Sequence, residues 1–179
     1  EHFMIKEIYE QPKAIRETMS GRLAKDDTHI NFDELKWTKG EVAAFKKVVI
    51  VACGTAYHAG IVGKYYLENL ARIPVEVDVA SEFRYRSPLV DESTLAIVIS
   101  QSGETLDTLA ALKEAKRLGA KTLAITNVVG SSISREADYV AYTWAGPEIA
   151  VASTKAYTTQ LISMCMLAIY MGGLKGTLS

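Results

Sequence analysis

Cysteine is scarce: Cys53 and Cys165 are the whole complement of the 179 residues, and they stand far apart in different apolar contexts. They are too few and too isolated for a disulfide framework or a thiolate metal site, and they read as reduced thiols of a reducing compartment. The three histidines, His2, His29 and His58, lack the matched spacing that metal ligands need, so no metal is expected. Charge of one sign is missing too. A formal net charge of −1 draws in neither nucleic acid nor an anionic membrane, and no basic stripe stands out. No apolar run is long enough for a bilayer span; the strongest, Leu161 to Gly172, contains Ser163 and reads as a buried helix. Glu1 to Glu10 is too charged for a signal peptide, and a cytoplasmic location is expected. The G-x-x-x-x-G-K-[ST] and G-x-G-x-x-G loops are absent, and no cofactor is expected.

What is present is an ordinary globular composition, 49% apolar and 23% charged, which argues against disorder and allows a proper core. Residues 3–22 carry helical spacing through Phe3, Ile5, Ile8, Ile15 and Met19, with Pro12 placed to end or kink the helix at Gln11. Lys25 to Phe45 is polar and irregular, a loop with a turn or two. From Lys47 onward, short β-branched runs alternate with helical segments. The strands read as Val48–Ala52, Val75–Val79, Leu95–Ser100, Thr122–Thr126 and Tyr139–Thr143. Helices read as Ala56–Arg72, stopped by Pro74; Thr105–Leu118, with Leu106, Leu109, Leu112 and Ala115 on one face and Gly119 as its stop; and Thr154–Met171, ending at Gly172-Gly173.

Strands apolar throughout belong in a parallel sheet covered on both faces. The alternation predicts an α/β fold: a three-layer α/β/α sandwich on about five parallel strands, with an N-terminal helical extension. The expected division is an extension over 1–46, the α/β domain over 47–173 and a truncated tail over 174–179. The opening Glu1-His2-Phe3 and the closing Leu174-Lys175-Gly176 suggest a piece of a longer protein.

Ligands of such sheets bind beyond the carboxyl ends of the strands, so the loops that leave strands carry the chemistry. Cys53-Gly54-Thr55-Ala56 is one: Gly54 lets the backbone turn close to a ligand, and Thr55 can cap the helix or bond an anion. Ser100-Gln101-Ser102-Gly103-Glu104-Thr105 is the second, with three hydroxyls, an amide and a glycine crowded at a helix N-terminus. One cap needs one hydroxyl; the surplus, together with free amides and the helix dipole, fits a phosphate without a lysine or arginine. The third is Glu148 to Thr154, where Ser153 or Thr154 would cap the last helix and small residues would wall a compact ligand. His58 reads as a helix-surface histidine, and Arg84 and Arg86 as solvated arginines after the second strand.

Taken together, Ala52-Cys53-Gly54-Thr55, Ser81-Glu82-Phe83-Arg84-Tyr85-Arg86, Ser100 to Leu109 and Val151-Ala152-Ser153-Thr154-Lys155-Ala156-Tyr157-Thr158-Thr159-Gln160 resemble a sugar isomerase (SIS) domain. The likeness is closer to the first of the two such domains in glutamine–fructose-6-phosphate aminotransferases, and it includes Glu7-Ile8-Tyr9-Glu10-Gln11-Pro12. The resemblance implies a flavodoxin-like fold and fructose 6-phosphate or glucosamine 6-phosphate as ligand. It implies that Thr55, Ser100, Ser102 and Thr105 hold the phosphate, assisted by Gln101 and nearby backbone of Cys53 and Gly54. Val151, Ala152 and Ser153 would line the sugar chain. Position 56 is alanine where some members carry serine. The resemblance also implies what lies elsewhere: a glutaminase domain, a second SIS domain, and a proton-shuttling glutamate with its lysine and a neighbouring subunit's histidine. No catalytic residue is therefore expected in this chain, and a homodimer is. Two other readings stand beside this one, a non-catalytic sugar-phosphate sensor and a structural domain without a ligand. The former would bring a helix-turn-helix module that is not evident, and the latter leaves the hydroxyl cluster unexplained.

Overall fold

The computed structural model describes residues 2–26 and 28–178. Five parallel strands form one sheet: β1 Lys47–Ala52, β2 Val75–Val79, β3 Thr94–Ser100, β4 Lys121–Thr126 and β5 Tyr139–Tyr142, in the order β2-β1-β3-β4-β5. Every residue of β3 is buried, as are the last five of β1 and of β4, so the inner strands have no solvated face to mark with polar residues. Register runs Ile50 beside Ile97 and Ile97 beside Leu123, a continuous apolar layer across the middle of the sheet.

Helices cover both faces. Val48, Ile50, Leu95, Ile97, Ile99, Leu123 and Ile125 pack under α4 (Gly54–Tyr66) and α8 (Lys155–Lys175). Val49, Val51, Ala96, Val98 and Ala124 pack under α5 (Ala80–Phe83), α6 (Leu106–Arg117) and α7 (Ser132–Glu136). This is the expected three-layer sandwich. The five strands fall within a residue of the predicted bounds, and β2 matches at both ends.

The helices depart further from expectation, each for a physical reason. Residues 3–22 hold two helices, α1 Phe3–Tyr9 and α2 Gln11–Met19, broken at Glu10. Pro12 lies in the first turn of α2, where its missing N–H breaks no helical bond; it opens that helix and does not end the one before. The supposed loop 25–45 contains α3 (Lys39–Ala44), closed by a reciprocal cap: Thr38 Oγ1 accepts from the Glu41 N–H at 3.2 Å, and Glu41 Oε2 accepts from the Thr38 N–H at 2.8 Å. The same stretch sends Ile30, Phe32, Leu35, Trp37, Val42 and Phe45 into the core against α8 and the sheet. The extension is packed as part of the domain. Past α4 the helix widens into a π turn over Leu67–Ala71 before Arg72 takes the left-handed conformation at φ 50°. On α6, Leu112 and Ala115 are buried as expected, Leu109 is half-buried, and Leu106 is 81% exposed.

The last helix does not stop at Gly172-Gly173 but continues to Lys175, with Gly176 left-handed at its end. A Cβ on Gly172 would lie 2.8 Å from the Leu70 carbonyl oxygen and 2.8 Å from Leu178 Cδ1, so this glycine admits a close helix approach. Among the described residues no helix is long and apolar enough to cross a membrane.

Phe32 is 2% exposed and packs 5.6 Å from the Tyr170 ring of α8. Replacing it by alanine is expected to cost about 3–5 kcal/mol of stability, read by urea denaturation. A change below about 0.5 kcal/mol, ordinary for a surface site, would show instead that the N-terminal stretch is a detachable linker.

Candidate functional site

The strand order reverses beside β1: the chain goes from β1 to β2 on one side and returns to place β3 on the other. Loops leaving β1 and β3 diverge there, and the divergence opens a crevice at the carboxyl ends of the strands. A cavity of about 430 Å³ occupies it. Cys53, Gly54 and Thr55 from the β1 loop, Ser100, Gln101, Ser102 and Thr105 from the β3 loop, and Val151, Ala152 and Ser153 before α8 all line this one space.

The β3 loop is a tightly bonded turn. Buried Ser100 accepts the Gly103 N–H at 3.1 Å, and its Oγ lies 3.1 Å from Thr105 Oγ1. Ser102 Oγ accepts the Glu104 N–H at 3.2 Å. The Gln101 carbonyl accepts the Asn127 N–H at 3.1 Å, and the Gly103 carbonyl accepts the Ile133 N–H at 3.0 Å, fastening the turn to the strand and helix behind it. Gly103 sits at φ 67°, and a Cβ there would meet the Ser131 side chain and come within 2.8 Å of Thr126 Oγ1.

Two helices begin at the cleft without a side-chain cap. Thr105 holds the N-cap position of α6, yet its hydroxyl turns back toward Ser100 and accepts none of the first-turn N–H groups. Cys53 holds the corresponding position of α4 and caps nothing. Thr55 lies inside the first turn of α4, exposed, so it does not serve as the cap. First-turn amides and the positive ends of two helix dipoles therefore face the same space, which favours an anion.

The third wall is irregular chain. Ser153 and Thr154 do not cap α8 with their hydroxyls; Glu148 does, reaching across the loop. Its Oε1 accepts the Thr154 N–H at 2.9 Å and the Ala156 N–H at 3.1 Å, and its Oε2 accepts the Ser153 hydroxyl at 3.1 Å. Val151 and Ala152 stand exposed at the rim. Among the described residues no lysine or arginine lines the cavity, and Glu148 is its one acidic side chain. Glu104 is not among the lining residues: it accepts the Ser132 N–H at 2.8 Å, and bonding from Ser132 holds its carboxyl below the ordinary range, hence ionised. His58 and the arginines after β2 lie outside as well. Arg86 pairs with Asp78 and, at 2.5 Å, with Glu76, while the Arg84 guanidinium lies 4.6 Å over the Tyr85 ring.

Two cleft residues were not foreseen. Thr108, from the first turn of α6, and Gln160, from α8, are 1% and 2% exposed, and Thr108 Oγ1 and Gln160 Oε1 have no hydrogen-bond partner among the described residues. A buried polar atom without a partner is costly, so these two form a floor able to receive a ligand's hydroxyls or water. The signal was a polar residue on the buried face of each helix. A larger depression of about 730 Å³ lies near Asn127, Trp144 and Glu17, but Asn127 is already committed to Gly146, Thr143 and Ala145.

The SIS domain family model matches residues 42–170. The chain belongs to that family. Over all 179 residues the chain is 66% identical to the glutamine–fructose-6-phosphate aminotransferase [isomerizing] of Caldanaerobacter subterraneus subsp. tengcongensis, and 65% identical over 181 aligned positions to that of Clostridium tetani. It spans 29% of the length of each. The C-terminal domain of glucosamine-fructose-6-phosphate aminotransferase from Francisella tularensis superposes with a TM-score of 0.92 at 44% identity, covering all of this chain and 49% of that one. Glucosamine-6-phosphate deaminase from Thermotoga maritima, at 23% identity and a TM-score of 0.77, shares the fold.

Gly103→Ala tests the turn. Its left-handed backbone and the crowding against Ser131 are together expected to cost about 2–4 kcal/mol of stability, read by thermal or urea unfolding. An unchanged midpoint would mean that the β3 turn is not held as described.

Proposed function

We propose that this SIS domain binds the phosphate of a hexose 6-phosphate, fructose 6-phosphate or glucosamine 6-phosphate, as part of the isomerase portion of a cytoplasmic glutamine-dependent aminotransferase. The observation that carries the reading is the pair of uncapped helix N-termini, α4 and α6, meeting over hydroxyls with no cationic side chain in the lining. A dianion there accepts first-turn N–H groups and the hydroxyls of Ser100, Ser102, Thr105 and Thr55, and it replaces the acceptors that the helices lack. The sugar chain then extends past Gln160 and Thr108 toward Ala150–Ser153.

Interconversion of a ketose and an aldose phosphate moves a proton between C1 and C2 and needs a base there, with an acid to open the ring. The one carboxylate among the described residues of the cleft, Glu148, already accepts two N–H groups and two hydroxyls. The proton-transfer groups therefore belong to other parts of the parent protein, as does the release of ammonia from glutamine. A paired assembly, a homodimer, completes the reading. The 179-residue chain alone is expected to turn over neither sugar phosphate; measurable aldose–ketose interconversion by the purified chain would refute this.

Ser102→Ala tests the phosphate corner. Loss of one hydrogen bond to a charged group is expected to weaken hexose phosphate binding by about 1.5–3 kcal/mol in calorimetric titration. Unchanged affinity would remove Ser102 from the site.

A further inference from the structure

The stretch Glu7-Ile8-Tyr9-Glu10-Gln11-Pro12 lies outside the cleft's loops, yet Glu7 reaches the loop before α8, and Glu10 and Gln11 reach the first turn of α8 itself. Glu7 is 3% exposed, and its Oε1 accepts the N–H of Ile149 at 2.6 Å and of Ala150 at 3.2 Å. Glu10 Oε2 accepts the Lys155 ammonium at 2.6 Å, and Lys155 is itself 4% exposed. Gln11 Oε1 accepts the Thr158 hydroxyl at 2.5 Å. Glu7, Glu10 and Gln11 stand at i, i+3 and i+4, one face across the α1–α2 junction, and that face meets residues 149–158.

A buried carboxylate persists only when its acceptor capacity is filled, and irregular chain needs partners for its amides. Glu7 and the 149–150 amides meet both needs at once. Glu148 fixes the other end of the same loop by bonding Ser153, Thr154 and Ala156. Ala150 to Ser153, the sugar-facing wall, is therefore clamped between two glutamates, one inside the loop and one on the N-terminal helix. The hydrogen bond from Lys155 also holds the Glu10 carboxyl below its ordinary range, so that carboxyl stays ionised at neutral pH. None of the three side chains bonds the β3 turn.

We propose that Glu7, supported by Glu10 and Gln11, is a positioning residue that sets the sugar-facing wall of the cleft while leaving the phosphate corner untouched. The inference rests on the proposed sugar-phosphate reading of the cleft. It separates two affinities that a general loss of folding would lower together.

The test titrates the labelled chain with fructose 6-phosphate and, separately, with inorganic phosphate, following backbone amide resonances to millimolar concentrations. In wild type both ligands should shift the Ser100–Thr105 amides, and only the sugar phosphate should shift Ala150–Ser153. Glu7→Ala is expected to weaken fructose 6-phosphate about tenfold or more, the fold-change of losing charge-assisted bonds, while inorganic phosphate stays within about twofold. The Ile149 and Ala150 amide protons should move upfield as they lose their carboxylate acceptor, with the Ser102–Thr105 amides unmoved. Glu7→Gln, which keeps the shape and one acceptor oxygen, should fall between, and the E10K/K155E exchange should bind better than E10K alone. Equal loss of both ligands in Glu7→Ala and Glu7→Gln, or loss of neither, overturns the positioning role. Wild-type chain that binds neither ligand overturns the cleft reading itself, and this inference with it.

Discussion

The first turn of a helix has N–H groups that no residue of the helix can satisfy, and a protein must meet them from outside. In this SIS domain the demand is met in three ways. α3 is closed by a local box of Thr38 and Glu41, and α7 by Ser131, whose Oγ accepts the Ser134 N–H at 3.4 Å. α8 borrows Glu148 from across a loop. α4 and α6 receive no side-chain cap, and neither do α1, α2 and α5, but α4 and α6 start on either side of the strand-order reversal. The topology thus gathers two unmet sets of donors into one 430 Å³ space, and hydroxyls, not ammonium groups, fill in around them. A doubly negative group is the chemical complement of that arrangement, which explains why the cleft manages without a cation.

Such a cleft stays organised only if its loops are stiff, since any freedom they keep must be lost when a ligand is bound. The β3 turn gets its stiffness from Gly103, whose backbone conformation and lack of a side chain let it lie against Thr126 and Ser131. Residues 147–153 have no regular structure, and they are held by carboxylates instead, Glu148 within and Glu7 from α1. The N-terminal helices thus belong to the site's mechanics although they add no atom to its lining.

Much of this was legible in the sequence where local chemistry and tertiary demand coincide. Val48–Ala52 and Leu95–Ser100 could be read as inner strands because burial on both faces removes any need for alternation. The hydroxyl cluster at Ser100–Thr105 could be picked out as a candidate because one cap uses one hydroxyl and the rest exceed that use, and Ser100, Gln101, Ser102 and Thr105 do line the cavity. Legibility failed where a residue's usual local role was displaced by a distant partner. Gly172 looked like a stop signal, but its missing side chain makes room for the Leu70 carbonyl. Ser153 and Thr154 looked like caps, but a carboxylate five or six residues earlier took the place. Phe32 and Trp37 looked like loop residues because their stretch has no period, yet they fill the groove between α8 and the sheet as irregular chain. Thr108 and Gln160 are the hardest kind: each is one polar residue beside others, Asp107 and Thr159, and only the fold shows that both open onto the same cavity.

Those two side chains bear on how the cleft divides its labour. A phosphate held by amides and small hydroxyls is recognised through charge and shape, and the same corner would accept any monophosphate equally well. Discrimination among sugars must come from groups that meet the carbon chain, where an unfilled hydrogen bond is expensive because the partner is buried. Gln160 Oε1 and Thr108 Oγ1 are such groups, buried and without a partner among the described residues. On the proposed reading the strong, unselective contacts come from the loops after β1 and β3 and the helix starts they lead into, and the weaker, selective ones from Thr108, Gln160 and the loop before α8. An error in the position of that loop changes which sugar fits before it changes whether phosphate binds. On the proposed reading, the clamp from Glu7 bears on recognition as well as on stability.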